Sequence, residues 1–348
     1  MSILHIVPSL PSKADIALTL AQGLRTTYQI DSMFYSHKAL QDNVYSQKDF
    51  EVISPATIAL HESVPESIKT IILHVNLSTY LNFKCSAVAN DFVYQLGTTL
   101  DRHSIELITI FHEIPTSKIP AFSSIKKSHR RFTKKLADLS RSVITNNRFY
   151  ERHLIENTST QIYCVNNFSR VGELESNNLL GASRCNLIIV GGIERAHIYK
   201  KKSFLQQTMD TFKLNQIVDI GIPLPWSKIN TRGLNIQRMG KLLKSEISDQ
   251  LTISKVGVLD YSRYPSCLGK SSVFNAYKAH GVVPLLLKDI DSKGGDHLAS
   301  NINYFTGKEL DTLKSDKALA KMAHTNYSHY QTHNQAKWLK LIRGLIKD

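Results

Sequence analysis

Short apolar runs alternate with longer amphipathic stretches along the whole chain, and midway the alternation starts again. The first run, "ILHIVPS" (3–9), is followed by "ADIALTLAQGLRTTY" (14–28), in which Ile16, Leu18, Leu20 and Leu24 lie at mixed helical spacings. "QIDSMFYS" (29–36), "TIILHVN" (70–76) and "IELITIFHE" (105–113) read as further buried strands, with a helical stretch, "TYLNFKCSAVANDFVYQLGTTL" (79–100), between the last two. Strands that alternate with helices pair in parallel, because the helix carries the chain back to the starting edge of the sheet. The pattern predicts a doubly wound α/β sheet.

A basic helix, "SSIKKSHRRFTKKLADLS" (123–140), leads to strands at "RSVITNN" (141–147) and "TQIYCVNN" (160–167). A polar stretch, "FSRVGELESNNLLGASR" (168–184), reads as a linker, after which "CNLIIVGG" (185–192) restarts the alternation. "NQIVDIG" (215–221), a helix over "RMGKLLKSEISDQLTIS" (238–254), "KVGVLDY" (255–261) and "VVPLLL" (282–287) continue it, and one long helix is expected over 316–346. A chain of 348 residues suits two cores of this kind. The expected organisation is two Rossmann-like domains, 1–180 and 181–330, facing each other across a cleft, with a terminal helix, 331–348, packing back towards the first.

Hydrophobic residues make up 42% of the chain, which is globular, and no run approaches the ~18 apolar residues of a membrane span. The start, "MSILHIVPSLPSK", lacks a basic, apolar signal peptide, so the expectation is a cytoplasmic protein. Cys85, Cys164, Cys185 and Cys267 are too dispersed for a zinc site or a disulfide framework. The net charge of +14 predicts an anionic partner, whether nucleic acid, acidic membrane or phosphorylated substrate.

"LGKSSVFNAYKAHG" (268–281) places a glycine, a lysine and two serines at the start of a helix. It is not a Walker A loop, because Tyr264 stands where the first glycine must make the turn around the phosphates. A Rossmann dehydrogenase is disfavoured as well, since "PSLPSKAD" follows the first strand in place of a glycine fingerprint.

Taken in order, "FHE" (111–113), "LADLSRSVITNN" (136–147), "VNNFSRVGE" (165–173), "IVGGIERAHIY" (189–199), "VDIG" (218–221) and "LGKSSVFNAYKAHG" resemble glycosyltransferases with the GT-B fold, in particular a bacterial subgroup. The resemblance covers nearly the whole chain. It implies a UDP- or GDP-sugar held mainly by the second domain, an acceptor held mainly by the first, and transfer that needs no metal or other cofactor. It departs from many retaining members at the paired glutamates: Cys267 and Asn275 occupy those positions. The stereochemical outcome therefore does not carry over.

In this reading Gly269, Lys270, Ser271 and Ser272 meet the donor diphosphate, through helix-start N–H groups and the lysine charge, and Asn275 meets the ribose. An ordinary capping serine beside a solvated lysine is the alternative. Gly191 and Gly192 allow close approach to the backbone, and Arg195 resembles a phosphate-binding basic residue; a glycine turn with a surface arginine is the alternative. Tyr199 packs on the nucleotide or is simply half-buried. His112 and Glu113 end a strand where a base or an acceptor contact is needed, although strand-end histidines are often structural. His61, His297 and His324 show no metal-ligand spacing.

Lys126, Lys127, Arg130, Arg131, Lys134 and Lys135, interleaved with Ile125 and Phe132, suit peripheral contact with an anionic membrane or a solvated helix face. The sequence thus predicts a glycosyltransferase acting on a glycan or lipid-linked acceptor, in surface polysaccharide or lipid-linked glycan synthesis. Two other readings stay open: a non-catalytic partner subunit of the same fold, and a nucleic-acid-binding protein using 126–135, for which no recognisable module is present.

Overall fold

The computed structural model describes residues 2–7, 15–36, 50–53, 64–82, 86–115, 127–174, 184–264, 266–290, 298–310 and 315–346. The chain divides into two compact units, Met1–Asn166 with Gln335–Asp348, and Asn167–Asn334.

The first unit carries a seven-stranded sheet, β1 (Ser2–Val7), β2 (Asp31–Ser36), β3 (Glu51–Ile53), β4 (Ile68–Val75), β5 (Glu106–Phe111), β6 (Ser142–Thr145) and β7 (Gln161–Cys164). Their order is β3-β2-β1-β4-β5-β6-β7, and every neighbouring pair is parallel. Helices cover both faces of such a sheet, which is why β1 and β5 are buried at every residue but the first. The order reverses between β1 and β4, the place in an open parallel sheet where a crevice forms at the carboxyl ends of the strands.

The second unit repeats the plan with six strands: β8 (Asn186–Gly191), β9 (Gln216–Gly221), β10 (Ile236–Gly240), β11 (Ser254–Leu259), β12 (Val283–Leu286) and β13 (Phe305–Thr306). All are parallel, in the order β10-β9-β8-β11-β12-β13, and the reversal lies between β8 and β11. Alternation along β8 divides the core. Leu187 and Ile189 pack on one face with Leu205, Phe212 and Met322, while Ile188 packs on the other with Leu251, Phe274 and Tyr277.

Tyr277 fixes the fit of the helix Ser272–Ala279 on the sheet. Its hydroxyl donates to the carbonyls of Ile188 and Val258, 3.3 and 3.2 Å away, so the ring crosses β8 and β11. A side chain at Gly257 would place Cβ 2.5 Å from Tyr277 Cε2, so only glycine admits the ring there.

Three expectations change. The stretch 238–254 is not all helix, because Arg238, Met239 and Gly240 complete β10 and the helix spans Lys244–Thr252. The expected terminal helix over 316–346 is two helices, Asp316–Tyr330 and Gln335–Leu345, interrupted at 331–334. They serve different cores: Met322, Ala323 and Tyr330 are buried in the second unit, and Trp338, Leu339 and Ile342 in the first, where Leu339 fills the space beside Gly23. Residues 167–174, read as the end of one domain and the start of a linker, are bonded into the second unit. Asn167 N donates to Gly269 O at 3.1 Å, and Leu174 N to Ala279 O at 3.3 Å. The expected boundary at 180 and 181 lies outside the described residues.

Replacing Gly257 with alanine forces the Tyr277 ring off the sheet. The expected loss is about 1–3 kcal/mol, the usual range for an overpacked core, read as a lower urea midpoint with an unchanged slope.

Candidate functional site

At the reversal point of the second sheet, β8 ends at Gly191 and β11 at Leu259, and the helix Ser272–Ala279 begins close to both. Together they line a cavity of about 520 Å³ whose wall includes Arg170, Gly192, Tyr261, Arg263, Ser271 and Ser272. Arg170 donates from Nη2 to Ser272 Oγ at 3.0 Å, which holds its guanidinium at the helix start. Ser271 caps the helix by accepting the N–H of Phe274 at 3.2 Å. Lys270 lies over the ring of Tyr264, which also lines the cavity, with Nζ 4.3 Å from the ring centroid. Gly269 is buried within the turn Leu268–Lys270. Arg170 and Arg263 had no place among the sequence candidates. The spacing of "SRVGE" from the glycine-lysine loop hides that the two are adjacent in space.

Gly191, Gly192 and Arg195 also line this cavity, but Arg195, Tyr199 and Asn275 spend their polar atoms within the protein. Arg195 is 4% exposed, and its Nε and Nη2 each donate to a different oxygen of Asp219 at 2.9 Å. Its Nη1 donates to the carbonyls of Gly191 and Gly192 at 3.0 and 2.9 Å. The arginine thus ties the loop after β8 to β9. Gly221, at φ +142°, is part of this knot, since a Cβ there would lie 1.9 Å from Gly191 O. Tyr199 is buried, donates to Asp219 Oδ2 at 2.7 Å and meets Trp226 edge to face, and burial with the nearby carboxylate pushes its hydroxyl pKa up. The surface-arginine and half-buried-tyrosine alternatives are both replaced by a buried ion-pair network.

Asn275, expected at the ribose, is fully buried. Its amide donates to Gly269 O and Ser271 O at 2.8 and 2.9 Å, and its carbonyl oxygen lies 3.3 Å from Lys278 Nζ and 3.2 Å from His333 Nε2. Both donors and both acceptor directions of the amide are engaged, so Asn275 holds the loop and leaves no atom for a ribose hydroxyl. Cys267 is buried. His280 donates from Nδ1 to Ala276 O and pairs with Ser248 Oγ, and burial brings its pKa down to about 4.

In the first unit, His112 and Glu113 follow β5. Glu113 Oε2 accepts the N–H of Leu77 at 2.8 Å, at the start of the helix Leu77–Asn82. His112 ends a file of imidazoles: His5 Nδ1 lies 3.1 Å from His74 Nε2, and His74 Nδ1 lies 3.0 Å from His112 Nε2. The rings stack with centroids 5.3 Å apart at each step. Register explains the file. His5 is opposite Ile72 and His74 opposite Ile110, so each histidine sits two residues further along the next strand, on the same face. "LHIV", "LHVN" and "FHE" carry that signal in the sequence, at matching strand ends, but only His112 was singled out from it. Among the described residues no group of three His, Cys, Asp or Glu could hold a metal ion.

Lys126 lies outside the described residues, and Lys127 opens the helix Lys127–Leu139. Arg130, Arg131, Lys134 and Lys135 are exposed, with Lys134 paired to Asp138 at 2.8 Å and Lys135 bonded to Asn90 Oδ1 at 2.9 Å. Phe132 is buried, so this helix offers cations outward and keeps its aromatic ring in the core. Among the described residues no helix is long and apolar enough to cross a membrane.

No protein-family model matches the chain, and no curated protein matches it in sequence. Solved structures do match. Anabaena HepE in complex with UDP is 11% identical over 99% of both chains, with a TM-score of 0.67. Sucrose-phosphate synthase of Thermosynechococcus elongatus is 12% identical over 99% of both chains, with a TM-score of 0.62. An alpha-glucosyltransferase in complex with UDP and a 13-mer DNA is 11% identical over 98% of both chains, with a TM-score of 0.58. These likenesses show the fold, and the fold is GT-B.

Asp219→Asn leaves Arg195 buried without its counter-charge, and the expected loss of stability is about 3–5 kcal/mol by urea unfolding. Acid should weaken the protein through its buried imidazoles. Burial lowers His5 to about 3 and His280 to about 4, from an ordinary 6.5, so below about 6.5 the unfolded chain takes up protons that the folded chain refuses. Stability is then full above that pH and falls as pH drops towards 4, and His280→Gln should flatten the slope.

Proposed function

We propose that the chain is a glycosyltransferase that moves a sugar from a UDP- or GDP-sugar to an acceptor hydroxyl. One observation carries this reading: two arginines, Arg170 and Arg263, and the serine-capped start of a helix border one cavity at the reversal point of a parallel sheet. A nucleoside diphosphate needs this combination of full positive charge and unpaired N–H groups. Arg170, Arg263, Lys270 and the helix start would stabilise the charge that develops on the leaving diphosphate, and Gly191 and Gly192 give the donor access to backbone. Arg195, Tyr199 and Asn275 enter as groups that hold this surface in shape.

His112 and Glu113, at the carboxyl end of β5, are assigned to the acceptor. A glycan or lipid-linked glycan is the acceptor class we favour, in surface polysaccharide assembly, with Arg130 and Arg131 resting on anionic lipid. Support for the donor class comes from fold relatives bound to UDP and UDP-glucose. A second reading, a nucleotide-binding partner subunit without turnover, is favoured by the internal bonds of Asn275, which leave the usual ribose contact unfilled. A third, nucleic-acid binding, draws on the fold relative in complex with a 13-mer DNA and on the exposed arginines.

Thermal unfolding with a panel of nucleoside diphosphates and their sugars tests the donor site, since a ligand at a hundred times its Kd adds about 2.7 kcal/mol. Arg170→Ala, Arg263→Ala and Lys270→Ala should each weaken the responding nucleotide by about tenfold or more while the unliganded Tm holds. A wild-type protein that responds to no nucleotide sinks the proposal. Product analysis with the bound sugar nucleotide then separates transfer or hydrolysis from binding alone and from epimerisation, a reaction named for another protein of this fold. A salt-sensitive gel shift lost on charge reversal at Arg130 and Arg131 would favour nucleic acid instead.

A further inference from the structure

Beside the nucleotide cavity the second unit carries another, of about 580 Å³, within the usual range for a small-molecule site. It lies at the carboxyl ends of β11 and β12: Asp260 follows the first strand, and Leu287 and Lys288 follow the second. Lys200, Lys201 and Phe204 join them from the turn before the helix Lys202–Phe212 and from its first residues. Asp260 and His197 stand in the walls of both cavities, which therefore adjoin at these two side chains. The charge of the second cavity is one-sided. Lys200, Lys201 and Lys288 are set against Asp260, the one carboxylate among the described lining residues. All three lysines are exposed and make no hydrogen bond or ion pair with a described residue. Like charges around one concavity repel, and its low-dielectric walls focus their field into the space between them, so an anion there is stabilised. The rest of the wall narrows the choice of anion. Phe204 and Leu287 pack against the core and also line the cavity. The Phe204 ring passes close over Gly307, where a Cβ would lie 3.0 Å from its Cε2. An aromatic ring beside an aliphatic side chain offers apolar area that the C–H face of a pyranose can cover and an inorganic anion cannot. Asp260 Oδ1 accepts the N–H of Ser262 at 3.0 Å, which holds the carboxylate at the shared wall, where it can also accept sugar hydroxyls.

We propose that this second cavity receives the sugar of the nucleotide donor, and that the sugar is a uronate. With the diphosphate in the first cavity, the sugar joined to it crosses at Asp260 and His197, lays its ring against Phe204 and Leu287, and sets its carboxylate among Lys200, Lys201 and Lys288. A carboxylate on the ring is singly charged and short, so it meets the lysines within one cavity and is repelled less by Asp260 than a phosphate ester is. The acceptor is assigned to the first unit, which leaves the donor as the ligand that spans both cavities. This assignment rests on the donor reading of the nucleotide cavity and adds the class of sugar. The three lysines are then specificity-determining residues: a neutral hexose leaves them solvated and gains nothing from their charge.

Titration calorimetry of the full chain at physiological ionic strength compares each uronate with the neutral hexose on the same nucleotide: UDP-glucuronate against UDP-glucose, and GDP-mannuronate against GDP-mannose. The nucleotide is common to each pair, so the ratio of affinities reads the acidic group. The uronate of the recognised nucleotide should bind roughly tenfold more tightly, the combined effect of three exposed charge pairs. Lys200→Gln, Lys201→Gln and Lys288→Gln together should bring that ratio close to unity. Each alone should lower it about twofold, which keeps the test open should the triple variant fail to fold. Lys321→Gln, on the exposed side of the helix Asp316–Tyr330 and outside the cavity wall, should leave the ratio as it was. Equal affinity for uronate and hexose in the wild type, or a preference that survives in the lysine variants, overturns the proposal and leaves the donor site standing. A loss shared equally by acidic and neutral sugars assigns the lysines to the diphosphate, and a ratio lowered as much by Lys321→Gln reports only the net charge of the chain; either result overturns it as well. If no nucleotide binds at all, the functional reading and the uronate assignment fall together.

Discussion

Parallel pairing of every neighbouring strand is the constraint on which the rest of this molecule depends. A parallel sheet is covered on both faces, so a polar side chain within a strand is cut off from water and is stabilised by a partner inside the protein. Asp219 in β9 has Arg195 as that partner, and His5 and His74 have each other. Loops and helix starts, where polar groups can face a ligand, lie at the carboxyl ends of the strands. The cavity beside Gly191 and Ser272, and the His112–Glu113 pair, both lie at such ends.

The same constraint explains what was legible in the sequence. Buried parallel strands are nearly continuous apolar runs, so "ILHIV", "CNLIIV" and "NQIVDIG" could be read as strands, and their alternation with helices gave both sheets their direction. β10 was not legible. Its sequence, "IQRMG", is half polar because it lies at the edge of the sheet, where one side has no neighbour. The interruption at 331–334 was hidden for another reason. Apolar residues keep a helical spacing on both sides of it, and only the change of core that they pack against separates the two helices.

Site residues were legible as types more than as states. A sequence shows that Arg195 and Asn275 can bond an anion or a hydroxyl, but not that the protein already uses those bonds. Asp219, two residues before Gly221 in "VDIG", was the available clue to the first, because a buried carboxylate demands a counter-charge. No comparable clue existed for Asn275, whose partners Lys278 and His333 come from one helical turn away and from a distant loop. Arg170 shows the reverse case: a residue that looked like linker is brought to the helix start by the bonding of residues 167–174 into the second unit.

The position of the helix Gln335–Leu345 has a consequence for how the molecule is made. The second unit is one uninterrupted stretch of chain, whereas the first needs a segment that follows the whole of the second. On the ribosome, the second unit can therefore close while the first still lacks Trp338, Leu339 and Ile342 and leaves the groove beside Gly23 empty. The usual amino-to-carboxyl order of assembly can thereby be inverted, with a segment made after the whole of the second unit acting as the latch that completes the unit begun first.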